Sequence, residues 1–306
     1  MTKTLAPIQT ARTYSITMTT PKKTITRPNG VKPFLKWVGG KSQLLPQLRD
    51  FYPRTFKRYF EPFLGGGAVF FDVKPKEAFL NDINTTLITA YKHVQKKPDD
   101  LVNLLRRLQD KYDRQSEEGR SALYYEIRSK YNDLSEGDLN KTAYLIFLNK
   151  TGYNGLYRES SSGGFNVPFG KYKNPAILDE SNLLAVSNTL KGVSLNALSF
   201  EKAVAESRRG DFVYFDPPYY PLNGTAKFTN YHEKDFLEEE QVKLRDIFAE
   251  LDRRGCFVMM SNSYTDFIGK LYRGFNKHTV LANRAVNCKA EGRGKVKEYV
   301  ITNYKI

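Results

Sequence analysis

Cysteine, histidine, acidic residues and long apolar runs are all scarce in this 306-residue chain. Its two cysteines stand far apart, Cys256 in an apolar, strand-like run and Cys288 in a basic loop. Such a pair builds neither a disulfide framework nor a metal site. The three histidines, His93, His232 and His278, show no metal-ligand spacing. No segment approaches the roughly 18 consecutive apolar residues that a membrane-crossing helix needs. These absences read as a reduced, soluble, cytoplasmic chain with no membrane partner. Asp and Glu number 33 against 48 Lys and Arg, a net charge of +15. That imbalance favours a polyanionic partner, nucleic acid first among them. Residues 1–30 carry no acid, five bases and many threonines. With almost no apolar periodicity, they cannot offset the entropy of ordering and read as a disordered basic tail. A transit peptide, or an over-extended start ahead of Met18, are the alternatives.

Aromatic residues are plentiful, with 20 Tyr and 20 Phe. Several gather in the stretch the chain is organised around, Asp211-Phe212-Val213-Tyr214-Phe215-Asp216-Pro217-Pro218-Tyr219-Tyr220. A short apolar run ending at an acid and two prolines predicts a buried strand, because proline cannot donate to a sheet ladder. One carboxylate and one ring are thereby held at the carboxyl end of a strand, where open α/β sheets bind ligands. Asp216 and the Pro217 carbonyl can both accept from an amino group, and Tyr219 offers a face for stacking. This set suits a flat, neutral group bearing an NH2.

Upstream, Pro33 to Lys41 brings the single tryptophan, a glycine pair and a lysine ahead of an amphipathic helix over about 42–50. A lysine beside a helix start can hold an anion. Arg58 to Phe71 reads as strand, glycine turn and helix, and Ala78-Phe79-Leu80-Asn81-Asp82 as a second strand ending in an acid. Strand, glycine loop, helix, strand and acid form the first unit of a nucleotide-binding doubly wound sheet, with the acid placed for ribose hydroxyls. The glycines do not complete G-x-G-x-x-G, since Ala68 is followed by three large apolar residues. An adenosine ligand without a pyrophosphate therefore fits better than a dinucleotide. Helical periodicity runs from Thr85 to about Asn149. Two polar, aromatic arms around Ser161-Ser162-Gly163-Gly164 predict a β-hairpin over about 153–173, unpacked and free to enter a groove. Strands near 192–197, 256–260 and 278–281 follow, with a short helix after Ser199-Phe200 and helices over 238–254 and about 264–272. A basic loop from Asn283 to Lys297 and a closing strand over 298–304 suggest an antiparallel hairpin at the sheet edge.

Taken in order, Phe34-Leu35-Lys36-Trp37-Val38-Gly39-Gly40-Lys41, Glu61-Pro62-Phe63-Leu64-Gly65-Gly66-Gly67 with the later Asn81-Asp82, and Asp216-Pro217-Pro218-Tyr219 resemble the motifs of the Dam family of DNA adenine methyltransferases. The run from Tyr153 to Arg158 and from Phe165 to Pro175 also looks like that family's DNA-reading hairpin. The resemblance covers about residues 33–304. Many relatives have alanine where Gly66 stands, a mild departure. The resemblance implies an α/β, doubly wound, Rossmann-like methyltransferase sheet with an inserted helical plus β-hairpin DNA-recognition domain. Residues 31–90 and 190–306 would form the catalytic domain and 91–189 the target-recognition domain. It further implies S-adenosylmethionine as donor, N6 of adenine in double-stranded DNA as acceptor, GATC as the site, and a nucleoid-associated monomer. Asp216, Pro217, Pro218 and Tyr219 would be catalytic. Trp37, Lys41, Gly65, Gly67, Asp82, Phe200 and Asp216 would contact the cofactor. Lys36, Tyr153, Asn154, Leu156, Arg158 and Pro168 would contact DNA. Methylation of cytosine N4, RNA adenine or a protein amide would be favoured by Ser or Asn in place of Asp216. A C5-cytosine mechanism would need a cysteine in a proline-flanked loop, and neither cysteine is in one.

Overall fold

Apolar runs bounded by turns become strands buried on both faces. Residues 30–161, 163–221, 236–283 and 295–306 are described by a computed structural model. Among them, β1 (Tyr59–Glu61), β2 (Ala78–Asn81), β3 (Ser194–Asn196), β4 (Phe212–Phe215), β5 (Phe257–Ser263), β6 (Asn276–Asn283) and β7 (Lys295–Thr302) form one sheet. Its order is β3-β2-β1-β4-β5-β7-β6, with β7 antiparallel to both of its neighbours and the other pairs parallel. The direction in which the chain adds strands reverses between β1 and β4, and the crevice beyond their carboxyl ends is where such sheets take ligands. The expected doubly wound sheet is thus present, with the expected antiparallel hairpin at one edge. Its strands run longer than the sequence suggests, to Asn283 and from Lys295; the rest of the expected basic loop, 284–294, lies outside the described residues, as does the 1–29 part of the expected tail.

Alternate residues of one strand serve two cores. Tyr59, Phe212 and Tyr214 face one cluster, which extends through α1 (Leu45–Leu48), α2 (Ala68–Val73) and α3 (Thr85–Lys96). Phe60, Val213 and Phe215 face the other, under α8 (Phe200–Ala203), α9 (Glu238–Arg253) and α10 (Asp266–Leu271). The helix expected over 42–50 is shorter, because the chain tightens into a 3₁₀ turn at Arg49–Phe51.

The helical stretch 85–149 divides into α3, α4 (Pro98–Asp113), α5 (Glu117–Asp133) and α6 (Leu139–Thr151). Pro98 stops α3, since the residue before a proline leaves the helical region. Ser116 and Asp138 accept backbone N–H groups at the starts of α5 and α6. α4, α6 and α7 (Glu180–Thr189) pack on α3, and α5 packs on α6. None of the described helices is long and apolar enough to cross a membrane.

Residues 153–173 double back antiparallel, without forming a regular two-stranded ladder. Tyr153–Gly155 is a 3₁₀ turn, with Asn154 at φ 56° and Gly155 at φ 61°, where the first strand was expected. The two arms pair irregularly, through antiparallel bridges of Gly152 with Phe169 and Glu159 with Phe165 and through single backbone bonds such as Tyr153 N to Pro168 O at 2.9 Å and Asn166 N to Arg158 O at 3.1 Å. The arm is also packed rather than free. Phe165, Val167 and Phe169 are buried. Tyr124 Oη and Arg128 Nη1 donate to the Val167 carbonyl at 2.9 and 3.2 Å, and Asn132 Oδ1 accepts from Phe165 N at 2.9 Å. Tyr124, Arg128 and Asn132 lie four residues apart on α5, one helical stripe that grips the arm's backbone.

Candidate active site

The three motifs converge at the reversal point between β1 and β4. The glycine turn follows β1, the acid-proline loop follows β4, and Trp37 to Lys41 packs across both. Gly65 and Gly67 hold φ of +49° and +70°. A Cβ on Gly65 would press the Trp37 ring at 3.1 Å, and one on Gly67 would meet Tyr91 Oη at 2.8 Å. The glycines therefore permit a close turn that side chains would block. Asp82, just past β2, accepts from Gly65 N at 2.9 Å and Asn84 N at 3.0 Å, and so braces the same turn.

Lys41 is 5% exposed, and its ammonium lies 2.8 Å from Asp216 Oδ1. The same ammonium donates to the Gly39 carbonyl at 2.6 Å. Lys41 thus contacts one oxygen of the carboxylate, and a carboxylate with two oxygens keeps acceptor capacity beyond that one cation. Burial raises the Asp216 carboxyl to about 6; Lys41 opposes the shift and Glu298 adds to it. The anion beside Lys41 is thus the chain's own carboxylate. Tyr219 donates to Glu298 Oε2 at 2.7 Å, and Lys41 Nζ sits 4.8 Å from its ring centroid. Burial and the carboxylates Asp216 and Glu298 push the Tyr219 hydroxyl well above its ordinary value.

Phe200 is 7% exposed, with its ring 5.5 Å from Phe63 and 5.9 Å from Phe236, and so forms part of an aromatic wall below the second strand. Trp37 stacks on Tyr157 of the arm, with centroids 4.9 Å apart. Lys36 lies against the turn at Gly155, where a Cβ would meet its Cδ at 2.8 Å. On the arm, Tyr153, Arg158 and Pro168 are exposed, Asn154 and Leu156 half-buried. Arg158 Nε donates to Asn166 Oδ1 at 2.7 Å, and Nη2 to the Asn166 carbonyl at 3.3 Å, which leaves N–H groups of the guanidinium fork for another acceptor. The arm therefore buries one face on α5 and presents the other.

Four buried amides, to none of which the sequence assigns a role, hold these loops together. Asn81 bonds Pro62 O, Leu198 O and Leu198 N. Asn149 accepts from Lys36 N at 2.8 Å and donates to Lys36 O at 2.9 Å and Gly155 O at 3.0 Å. Gln241 donates to Pro218 O at 3.0 Å and accepts from Asn262 Nδ2 at 3.0 Å. Each carries a signal in the sequence, a polar amide within or at the end of an apolar stripe: Asn149 after Leu145 to Leu148, Gln241 in line with Leu244 and Phe248.

A model of the D12 class N6 adenine-specific DNA methyltransferases matches residues 37–286. The chain is 42% identical over 281 residues to the type II methyltransferase M1.LlaDCHI of Lactococcus lactis subsp. cremoris, spanning 90% of this chain and 96% of that one. It is 45% identical over 287 residues to the type II methyltransferase M.MjaIII of Methanocaldococcus jannaschii, spanning 90% and 99%. Over 265 residues it is 34% identical to the DNA adenine methylase of Escherichia coli, spanning 87% and 92%.

Proposed function

From the premise that this chain belongs to the D12 class N6 adenine-specific DNA methyltransferase family, we propose that it moves the methyl group of S-adenosylmethionine to N6 of an adenine flipped out of duplex DNA, within GATC. The carrying observation is the Asp216 carboxylate, paired with Lys41 at 2.8 Å and placed with Tyr219 at the reversal point of the sheet. A carboxylate paired with one cation still has lone pairs to spare on its two oxygens, so Asp216 can accept from a donor that arrives with the substrate.

The residues fit the donor molecule. The Gly65–Gly67 turn closes the end of the first strand, Asp82 stands at the end of the second, and no pyrophosphate fingerprint is present. S-adenosylmethionine supplies an electrophilic methyl group on a sulfonium. An adenine inside a duplex hides its amino group, and extruding it costs a few kcal/mol. Stacking on Tyr219, worth about 1–3 kcal/mol per base, offsets much of that cost. Adenine N6 is a weak nucleophile because its lone pair is delocalised into the ring. Asp216 and the Pro217 carbonyl accept from its two protons and favour the pyramidal nitrogen that gains positive charge during attack. Gln241 holds the Pro218 carbonyl and so keeps the adjacent Pro217 carbonyl in place. The exposed face of the arm (Tyr153, Arg158, Pro168) and Lys36 read base edges, while the net positive charge holds phosphates.

Transfer of a labelled methyl group to defined duplexes tests the proposal. Label should appear in GATC duplexes as N6-methyladenine, and much less in duplexes with one base of that site changed. Equal labelling of all adenines would remove the GATC assignment, and label on cytosine or on RNA alone would overturn the acceptor.

A further inference from the structure

A carboxylate stands where the pattern of β7 calls for an apolar residue. By the two-residue period, positions 296, 298, 300 and 302 share one face of the strand. Val300 and Thr302 of that set are fully buried, whereas position 298 is glutamate. Antiparallel pairing sets Glu298 opposite Ser263, the last residue of β5. The side chain is thereby carried to the carboxyl edge of the parallel strands, beside the reversal point. There Glu298 Oε2 takes the Tyr219 hydroxyl at 2.7 Å across 79 positions of sequence. Lys41 Nζ approaches the same ring at 4.8 Å from its centroid and Asp216 Oδ1 at 2.8 Å. The ring is held at its tip by an anion and over one face by a cation, and its backbone is stiffened by Pro217 and Pro218.

We propose that Glu298 is a positioning residue for methyl transfer: by holding the Tyr219 hydroxyl, it fixes the plane of the ring on which the flipped adenine stacks. The inference rests on the function proposed above. A tyrosine on a stiff backbone keeps two free side-chain torsions, and a hydrogen bond at the hydroxyl removes most of that freedom before the base arrives. The base then meets a preset wall, and N6 is presented to Asp216 in one orientation. A carboxylate acceptor makes the bond stronger than a neutral one would.

Four variants test it: Glu298→Ala, Glu298→Gln, Tyr219→Phe and the double variant Glu298→Ala/Tyr219→Phe. The readouts are methyl transfer to a GATC duplex, affinity for the demethylated cofactor product, thermal midpoint, and the fluorescence of 2-aminopurine at the target position. Glu298→Ala should lower kcat on the order of 10- to 100-fold, the range for losing a group that orients a reacting one, with cofactor affinity unchanged. The flipped 2-aminopurine should be brighter in this variant, because stacking quenches it. Glu298→Gln keeps an acceptor oxygen and should recover most of the rate. In the Tyr219→Phe background, adding Glu298→Ala should change nothing further. The inference is overturned if Glu298→Ala matches wild type, if the two losses multiply in the double variant, or if lost stability explains the rate and glutamine does not restore it. A wild-type chain that methylates no duplex overturns the proposed function and this inference together; a normally active wild type beside an unaffected Glu298→Ala overturns the inference alone.

Discussion

The ammonium of Lys41 lies 2.8 Å from Asp216 Oδ1 and 2.6 Å from Gly39 O, bridging the two. Charge is compensated while acceptor capacity is kept, which is what a substrate amino group requires. Asp216→Ala should therefore abolish transfer, by at least about 10²-fold if one transition-state acceptor is lost. Circular dichroism and DNA binding should stay close to wild type. Near-normal turnover in the variant would remove Asp216 from the chemistry.

The same carboxyl sets the expected pH dependence. Its value in the folded chain is about 6, against an ordinary 3.8. Below about 6 it protonates and loses acceptor capacity, so kcat/KM should fall on the acid side with a limb near that pH. Lys41→Met removes the cation that opposes the shift, and its limb should move to higher pH. The sign for stability is opposite to the usual carboxylate case. A raised value makes the contribution fully present below 3.8 and lost as pH rises through about 6. Relative to Asp216→Asn, the wild type should thus become less stable between those two pH values. A pH profile of activity and a parallel series of denaturant titrations check both statements.

Asp82 braces the glycine turn through Gly65 N, and we expect it to accept from the ribose of the cofactor as well. Asp82→Ala should weaken binding of the demethylated product by about 1.5–3 kcal/mol, the range for charge-assisted hydrogen bonds. Calorimetry measures this directly. Unchanged affinity would leave Asp82 with the turn alone.

Arg158 is exposed, and Asn166 holds its guanidinium at two points. Such a fork matches O6 and N7 of guanine in the major groove. Arg158→Ala should cost about 1–3 kcal/mol of discrimination at one guanine, with non-specific binding much less affected. Methylation rates on GATC and its single-base variants decide the matter. A uniform loss on every duplex, with a shallower salt dependence, would make Arg158 a phosphate contact instead.

Asn149 is 3% exposed and makes three hydrogen bonds that join Lys36 to the turn of the arm. Asn149→Ala leaves these backbone groups buried without partners, at about 1–3 kcal/mol for an unsatisfied group. Denaturant unfolding should show the loss. If the clasp also aligns reading with chemistry, the GATC preference of the variant should narrow while transfer continues.

Much of the fold was legible because its signals are local. A run such as Phe212 to Phe215, short, apolar and closed by Pro217-Pro218, reads as a strand buried on both faces. The acid-proline, glycine and tryptophan motifs were readable for the same reason, since each depends on residue types that few other roles tolerate. The arm was misjudged on equally local grounds. Its arms are polar and aromatic around a Ser/Gly turn, which reads as an unpacked hairpin, yet Phe165, Val167 and Phe169 are buried. The stripe Tyr124, Arg128 and Asn132 that binds its backbone lies on another element, and no feature of the arm itself announces it.

The sequence alone determined that an acid and a ring would end a buried strand, that a glycine turn would follow a second strand and an acid a third, and that the chain would be strongly basic. Only the tertiary structure decided that β1 and β4 are neighbours, although 153 positions separate Arg58 from its ion-pair partner Asp211. It alone placed Lys41 on Asp216, Asn149 between Lys36 and Gly155, and Glu298 on the Tyr219 hydroxyl. Periodicity reports whether a side chain is buried, because burial repeats with the strand or helix. It does not report the partner, because a buried polar group is satisfied by whichever element the strand order brings within hydrogen-bond reach.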